Sequence, residues 1–422
     1  MHIELLLTGN EIMSGDTVDS NSSRIAHQLA RLGLIIRRKV TVGDDQKLLE
    51  HELKEMTSQA DLVIMNGGLG PTVDDLTAEV VASVANVKLV EHSQAIQHLN
   101  DWCSKRNLSV NAANYKQAML PENCDVLPNP VGSAVGFVVQ IGKCTLMCTP
   151  GVPGELVPML DVIVRRLNEK NVCSGSKTLR LQTFGIGEST AQQLINDNIK
   201  SWPTEVNLGF RASLPQLEIK LTISEEKHLS ALLDCKDKVC KLLGAHVIGE
   251  GETRLANEVL RLLAEKKATL TTVESCTGGL IASMLTREAG ASKSFHSGLV
   301  VYSDEMKKQL LNVSKETIES AGAVSESLVR EMARNALSLC SANYVIAVTG
   351  IAGPEGGTKE KPVGTVWLCW GTEQKLKSCR LFWPLERTLF QTLIAASGLD
   401  LIRRYINNHD PLPSYLIQKV ID

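Results

Sequence analysis

The stretch Thr269-Leu270-Thr271-Thr272-Val273-Glu274-Ser275-Cys276-Thr277-Gly278-Gly279-Leu280-Ile281-Ala282 gathers residue types that could attack a carbonyl. A β-branched run ends in small polar residues and two glycines follow. Apolar residues then recur at helical spacing through Leu280, Ile281, Met284 and Leu285, which predicts strand, tight turn and helix. Ser275 falls at the bend. In an open α/β sheet the carboxyl ends of the strands face the ligand crevice, and the next helix start offers N–H donors to an anion, so a serine there is placed as a nucleophile. The same residues equally suit a close-packed turn whose serine and threonine cap the helix, and spacing alone does not separate the two. Cys276 is the rival nucleophile, since a thiol in a first helical turn is expected to ionise readily.

A second stretch, Gly67-Gly68-Leu69-Gly70-Pro71-Thr72-Val73-Asp74-Asp75, follows the apolar run Asp61-Leu62-Val63-Ile64-Met65-Asn66. Gly67, Gly68 and Gly70 let the backbone approach a ligand and turn its N–H groups toward phosphate; Thr72 adds a hydroxyl. Asp74 and Asp75 could hold a divalent ion bridging phosphates. Aspartate at a helix start is stabilising in its own right, so the loop also reads as a tight turn before an acidic first turn.

The elements that must position these stretches follow from periodicity. A strand through Leu7 leads into Thr8-Gly9-Asn10-Glu11, then a helix with Ile25, Leu29 and Leu32 on one face, a strand over 35–42, and a helix from Asp44-Asp45 with Leu48, Leu49, Leu53 and Met56. With the buried run at 61–66 and a helix from about Leu76, this is βαβα patterning around a parallel sheet. A helix ends near Asn168, and the polar, glycine-containing stretch 169–177 reads as a boundary. Two strand-like runs, 178–184 and 217–223, with helices near 189–198 and 228–243, predict a small α+β region. The last region opens with Thr253 as a cap and a helix carrying Leu255, Val259, Leu262 and Leu263; strands near 295–301 and 344–348 and a helix capped by Ser325 follow the Ser275 stretch. The expected domains are 1–170, 171–252 and 253–410. Pro411 and Pro413 argue against a continuing helix, and the tail carries no recognisable chemistry.

Composition narrows the function classes. At 422 residues the chain can form two or three domains, and 43% hydrophobic with 22% charged residues is ordinary for a globular protein. No apolar run reaches bilayer-spanning length and the start lacks a signal-peptide core, so a cytoplasmic protein without membrane partners is expected. A net charge of −3 gives no footprint for nucleic acid. Arg37-Arg38-Lys39 reads as an exposed strand edge, and Gly185-Ile186-Gly187-Glu188 has the wrong spacing, and an acid, for an RNA clamp. Eleven cysteines are scattered without paired metal-ligand spacing, which suggests reduced, mostly buried thiols.

Thr8-Gly9-Asn10-Glu11, Asp16-Thr17-Val18-Asp19-Ser20-Asn21, the Gly67 to Thr77 string, Asn114-Tyr115-Lys116-Gln117-Ala118-Met119-Leu120-Pro121 and Pro150-Gly151-Val152-Pro153-Gly154-Glu155 resemble the molybdopterin-binding fold of the MoaB and MogA proteins. Their form is most similar to the N-terminal domain of the CinA family. The resemblance implies ADP-ribose pyrophosphatase activity with a divalent metal, Mg or Co, at Asp74 and Asp75. Where the family has an alanine-proline-glycine turn, this chain has Ser133-Ala134-Val135-Gly136, which frees φ and returns a backbone donor.

Glu274 to Gly279, Tyr302-Ser303-Asp304-Glu305-Met306-Lys307, Gly322-Ala323-Val324-Ser325-Glu326, the Thr349 to Pro354 loop and Lys361 to Val366 resemble, in family order, the CinA C-terminal domain, the PncC-type nicotinamide-nucleotide amidohydrolases. That resemblance implies hydrolysis of the nicotinamide mononucleotide carboxamide to nicotinic acid mononucleotide and ammonia, with no cofactor at this site, in a homodimer. Amide hydrolysis needs a nucleophile, a base and oxyanion donors. Ser275 is then the nucleophile, Lys307 the candidate base, Tyr302 a proton relay or substrate contact, and N–H groups from Cys276, Thr277, Gly278 and Gly279 serve an oxyanion or phosphate. Thr349 and Gly350 line the same crevice, and Arg387 binds phosphate. Glu274 is either an orienter or a carboxylate that holds the loop; Lys307 could equally be a solvated helix lysine. The family's usual asparagine is Asp304 here, which adds charge close to Lys307 and works against a base role. Its glycine-aspartate-arginine string appears as Leu385-Glu386-Arg387, with Gln391 at a later arginine position. Three readings follow: a bifunctional enzyme acting on nicotinamide mononucleotide and ADP-ribose, a pterin-binding or adenylyl-transfer protein, and a non-catalytic competence-related partner.

Overall fold

Strand Ile3–Thr8 is buried at all six positions, so it must be covered on both faces. The computed structural model describes residues 1–169, 176–409 and 412–417; most of the boundary stretch 169–177 and Pro411 lie outside the described residues. The chain divides into two compact units, Met1–Thr178 with Ile223–Lys227, and Leu179–Thr222 with the chain from His228 onward.

In the first unit six strands run in the order Ile36–Val42, Ile3–Thr8, Leu62–Asn66, Cys144–Thr149, Gly136–Ile141, Asp125–Leu127. The first four are parallel and the last two antiparallel. Helices Asn21–Arg31 and Pro153–Glu169 bring Ile25, Leu29, Leu156, Met159 and Ile163 to one face. Helices Gln46–Gln59 and Thr77–Ala85 bring Leu49, Leu53, Met56, Val80 and Val81 to the other. Asp45 caps the first of these by accepting the Leu48 amide at 2.9 Å. The basic cluster sits on the sheet's edge strand, where Arg38 pairs with Glu52 and Glu55 and Lys39 with Asp19.

In the second unit the middle region forms a four-stranded sheet, Asn207–Ser213, Gln216–Ile223, Lys177–Thr183, Val247–Glu250, where two strand-like runs were expected. The two extra strands are the outer ones. Asn207–Ser213 buries no residue and Val247–Glu250 has only four residues, so neither carries a strong apolar pattern. The C-terminal sheet runs Phe295–Val300, Leu270–Glu274, Tyr344–Gly350, Thr365–Gly371, Leu376–Phe382, with the first three parallel and the rest antiparallel. Helix Leu255–Glu265 starts after Arg254 rather than Thr253: the Asn257 side chain accepts the Arg254 amide at 3.1 Å, while the Thr253 hydroxyl donates to the Glu250 carbonyl.

Helix Arg387–Ile406 runs through this unit with residues on nearly every side buried. It carries Asp400, which is fully buried and receives bonds from Arg403, Arg404 and the Tyr415 hydroxyl. The tail is thus part of the core: Tyr415 lies edge-on to Phe184 at 5.3 Å and Leu416 is buried. Among the described residues no helix is long and apolar enough to cross a membrane.

Candidate functional site

Ser275 continues strand Leu270–Glu274 by one residue, its amide donating to the Val348 carbonyl at 3.1 Å. Gly278 (φ 62°) and Gly279 (φ 93°) then take left-handed conformations that turn the chain into helix Leu280–Thr286, and a Cβ on Gly279 would meet Val300 Cγ2 at 3.2 Å. Glu274 is fully buried inside this turn. Its carboxylate accepts the Thr277 hydroxyl at 2.7 Å and the Ile281 and Ala282 amides at 3.0 and 2.8 Å, so it satisfies the N–H groups that open the helix. From the long helix, Gln391 Nε2 donates to the Cys276 carbonyl at 2.8 Å. Among the described residues no backbone carbonyl accepts from the amides of Cys276, Thr277 and Gly279.

A cavity of about 230 Å³ opens at the carboxyl ends of the parallel strands, lined by Ser275, Cys276, Tyr302, Asp304, Lys307 and Arg387, with Thr349, Gly350 and Glu355 around them. Glu274, Thr277, Gly278 and Gly279 are not in its wall; they shape the turn that presents Ser275. Lys307 lies in helix Asp304–Leu311, capped by Ser303, with its side chain only 3% exposed. The lysine is therefore not a solvated surface residue. Its ammonium donates to Asp304 Oδ1 at 2.9 Å and to the Tyr302 carbonyl at 3.3 Å. Arg387 donates to the Gly353 carbonyl at 2.6 Å and to the Tyr302 hydroxyl at 3.2 Å. Thr349 is held by the Ala323 carbonyl at 2.6 Å. Burial pushes the Cys276 thiol up to about 12, opposite to the ionisation expected from its position in the turn. Its wall position gives it access but not a thiolate.

The first unit has its own cavity, about 460 Å³, at the ends of its parallel strands. Gly67, Gly68, Gly70, Asp74 and Asp75 line it together with Glu11, Asp44 and Glu155. Among the described residues, five carboxylates and no lysine or arginine face this space. Thr72 is outside the wall, its amide donating to Asp75 Oδ2 at 2.9 Å, while Lys116 reaches the Thr72 and Asp75 carbonyls at 2.8 and 2.7 Å. The Thr72 hydroxyl holds the exposed Asp74 carboxyl below its ordinary range. In the departing turn, Ser133 and Ala134 line the cavity, Val135 packs into the core, and Asn129 Nδ2 fixes the Ala134 carbonyl at 2.7 Å. Among the described residues no three His, Cys, Asp or Glu side chains form a ready-made metal group.

Two family models match the chain: the CinA C-terminal domain over residues 252–406 and a probable molybdopterin binding domain over residues 4–169. A CinA-like protein of Colwellia psychrerythraea is 47% identical over 422 residues, spanning 99% of this chain and 98% of its own. This chain belongs to the CinA family. A second relative, from Shewanella oneidensis and named nicotinamide-nucleotide amidohydrolase PncC, is 37% identical over 418 residues and 98% of each chain. A solved CinA superfamily protein from Klebsiella pneumoniae is 34% identical over 36% of this chain and 96% of its own, with a TM-score of 0.36.

Within the CinA framework, two positions take on roles that spacing did not reveal. Gln391 appeared only as a missing arginine, yet its carboxamide pins the backbone of the Ser275 turn. Glu386, in the altered string before Arg387, caps the long helix through the Thr388 and Leu389 amides at 3.0 and 3.2 Å. Glutamate is not among the favoured N-cap types, so residue type did not signal Glu386, and the Gln391 contact joins positions 115 residues apart.

Proposed function

We propose that this CinA-family chain hydrolyses the carboxamide of nicotinamide mononucleotide to nicotinic acid mononucleotide and ammonia at the Ser275 cavity. The observation that carries this reading is that Ser275, a buried Lys307 and a cationic anchor, Arg387, line one cavity beside a turn whose Cys276 and Thr277 amides meet no backbone carbonyl among the described residues. The full-length relative named PncC supports it further. In this reading Ser275 Oγ attacks the carboxamide carbon as its proton passes to a neutral Lys307 Nζ, and the carbonyl oxygen takes the negative charge against the Cys276 and Thr277 amides. The C–N bond then breaks, Lys307 returns the proton to nitrogen, and ammonia leaves an ester on Ser275. A water, losing its proton to Lys307, cleaves the ester and restores the serine. Arg387, braced by Tyr302, holds the nucleotide phosphate. Ammonia release from the nucleotide by the purified protein tests the assignment; a folded protein that releases none refutes it.

For the first unit we propose metal-dependent cleavage of the ADP-ribose pyrophosphate. A pyrophosphate entering a wall of five carboxylates without a cation meets like charge, so the acidic lining suits a ligand that arrives with divalent ions. Asp74 and Asp75 would hold such an ion with water and phosphate oxygens, and when bound it supplies charge neutralisation and Lewis acidity. Gly67, Gly68 and Gly70 bring backbone close to the phosphates. The matching molybdopterin-binding model names a rival ligand, and titration with a pterin against ADP-ribose turnover under added Mg or Co separates them.

A further inference from the structure

Four charged side chains line the Ser275 cavity: Asp304 and Glu355, Lys307 and Arg387. They are not equivalent. Arg387 is committed to the Gly353 carbonyl and the Tyr302 hydroxyl, and Glu355 is exposed on its loop. The Lys307 side chain is only 3% exposed, and among the described residues Asp304, 38% exposed, provides its only carboxylate within ion-pair distance, at 2.9 Å. A buried ammonium depends strongly on such a counter-charge, and an ammonium cannot take the serine's proton. In the free cavity Asp304 is therefore the counter-charge of Lys307. Asp304, in turn, faces the space that substrate must enter.

Resting on the amidase reading above, we infer that the substrate's own charge frees the base: the cationic pyridinium ring takes over the Asp304 carboxylate, and Lys307 gives up its proton to solvent. An N-ribosylated nicotinamide carries that positive charge, whereas the reduced, dihydropyridine nucleotide has the same carboxamide, ribose and phosphate with a neutral ring. Once the ring pairs with Asp304, Lys307 is left buried beside a cationic ring with its carboxylate engaged elsewhere, while Arg387 is taken up by the phosphate; the neutral amine is then favoured. The other groups facing it are the Tyr302 hydroxyl, the Cys276 thiol, which burial keeps protonated, and Glu355 across the cavity. Balance is simple: one proton leaves Nζ for water on binding, and one later arrives from Ser275 Oγ. Free nicotinamide, neutral and without phosphate, would leave the ion pair closed.

The test uses the full chain carrying Ser275→Ala, which binds without turnover, in weakly buffered solution at neutral pH with a pH indicator. Nicotinamide mononucleotide should release about one proton per site at saturation, while the reduced nucleotide binds and releases none. Adding Asp304→Asn, nearly isosteric and checked for folding by its thermal melt, should cut the release to less than about half; adding Glu355→Gln should leave it intact. Equal release by the two nucleotides, or no release by either, overturns the inference while leaving the amidase reading standing. Loss of release with Glu355→Gln but not with Asp304→Asn overturns the role of Asp304. Wild-type protein that forms no ammonia from the nucleotide overturns the substrate reading, and this inference with it.

Discussion

Replacing Glu274 should damage both the fold and the chemistry of the C-terminal site. Its carboxylate accepts four hydrogen bonds, from Thr272, Thr277, Ile281 and Ala282, inside a fully buried turn. Bonds to a charged acceptor are each worth roughly 1.5–3 kcal/mol, and Glu274→Ala strands two amides and two hydroxyls at about 1–3 kcal/mol each. Relief of the buried charge offsets part of that, leaving a net loss of about 3–5 kcal/mol. At roughly 2–4 °C per kcal/mol for a unit of this size, the melting transition of the second unit should fall by about 10 °C. Glu274→Gln keeps one acceptor but points an amide nitrogen at a donor, so about half the loss is expected. Because the same bonds fix Ser275, a displacement near 1 Å should lower ammonia release by about a hundredfold even below the melt. Calorimetry with the ammonia assay reads both. Glu274→Ala with an unchanged melt and full activity would refute the argument that this carboxylate holds the nucleophile turn.

Other consequences are equally direct. With its thiol pushed up to about 12, Cys276 should resist iodoacetamide in the native protein at pH 8, where only about one in ten thousand is thiolate, and Cys276→Ser should retain most activity; rapid labelling with inactivation would make the cysteine the nucleophile. Cys369 and Cys379 are likewise pushed to about 12 from an ordinary 9 by burial. Unfolded thiols lose protons that the folded ones keep, so stability is full below pH 9 and falls as pH rises toward 12, by about 1.4 kcal/mol per pH unit for each group. Urea midpoints at pH 8, 9 and 10 check this, and Cys379→Ala should flatten the decline. A chelator should abolish ADP-ribose cleavage and leave ammonia release unchanged, since the two cavities belong to different units; parallel loss of both activities would contradict that division.

What could be read from sequence was set by how strongly one face of an element is buried. The runs Ile3–Thr8, Leu62–Asn66 and Leu270–Glu274 are buried at every position, and their turns carry the glycines and small polar residues that mark strand ends. Asn207–Ser213 and Val247–Glu250 escaped notice because they are outer strands with little apolar content. Helix Arg387–Ile406 escaped for the opposite reason: buried on all sides, it shows no amphipathic stripe. Residue types marked the Ser275 turn and the family resemblance added Tyr302, Lys307 and Arg387; all four line one cavity. Tertiary contacts then redistributed the roles around them. Burial overrode the thiol-activating position of Cys276, and Glu274, Thr277 and the two glycines build the turn rather than the wall. The closeness of Asp304 to Lys307 was visible three residues apart on a helix; its consequence depended on how deeply the lysine is buried.

The central claim is a serine amidase with Lys307 as its base. Its most direct measurement is ammonia release from nicotinamide mononucleotide by the wild-type chain and by Ser275→Ala and Lys307→Met, each verified as folded. Wild type should release ammonia, Ser275→Ala none above background, and Lys307→Met about a hundredfold less or lower still. Near-full activity in the Ser275→Ala protein would contradict it.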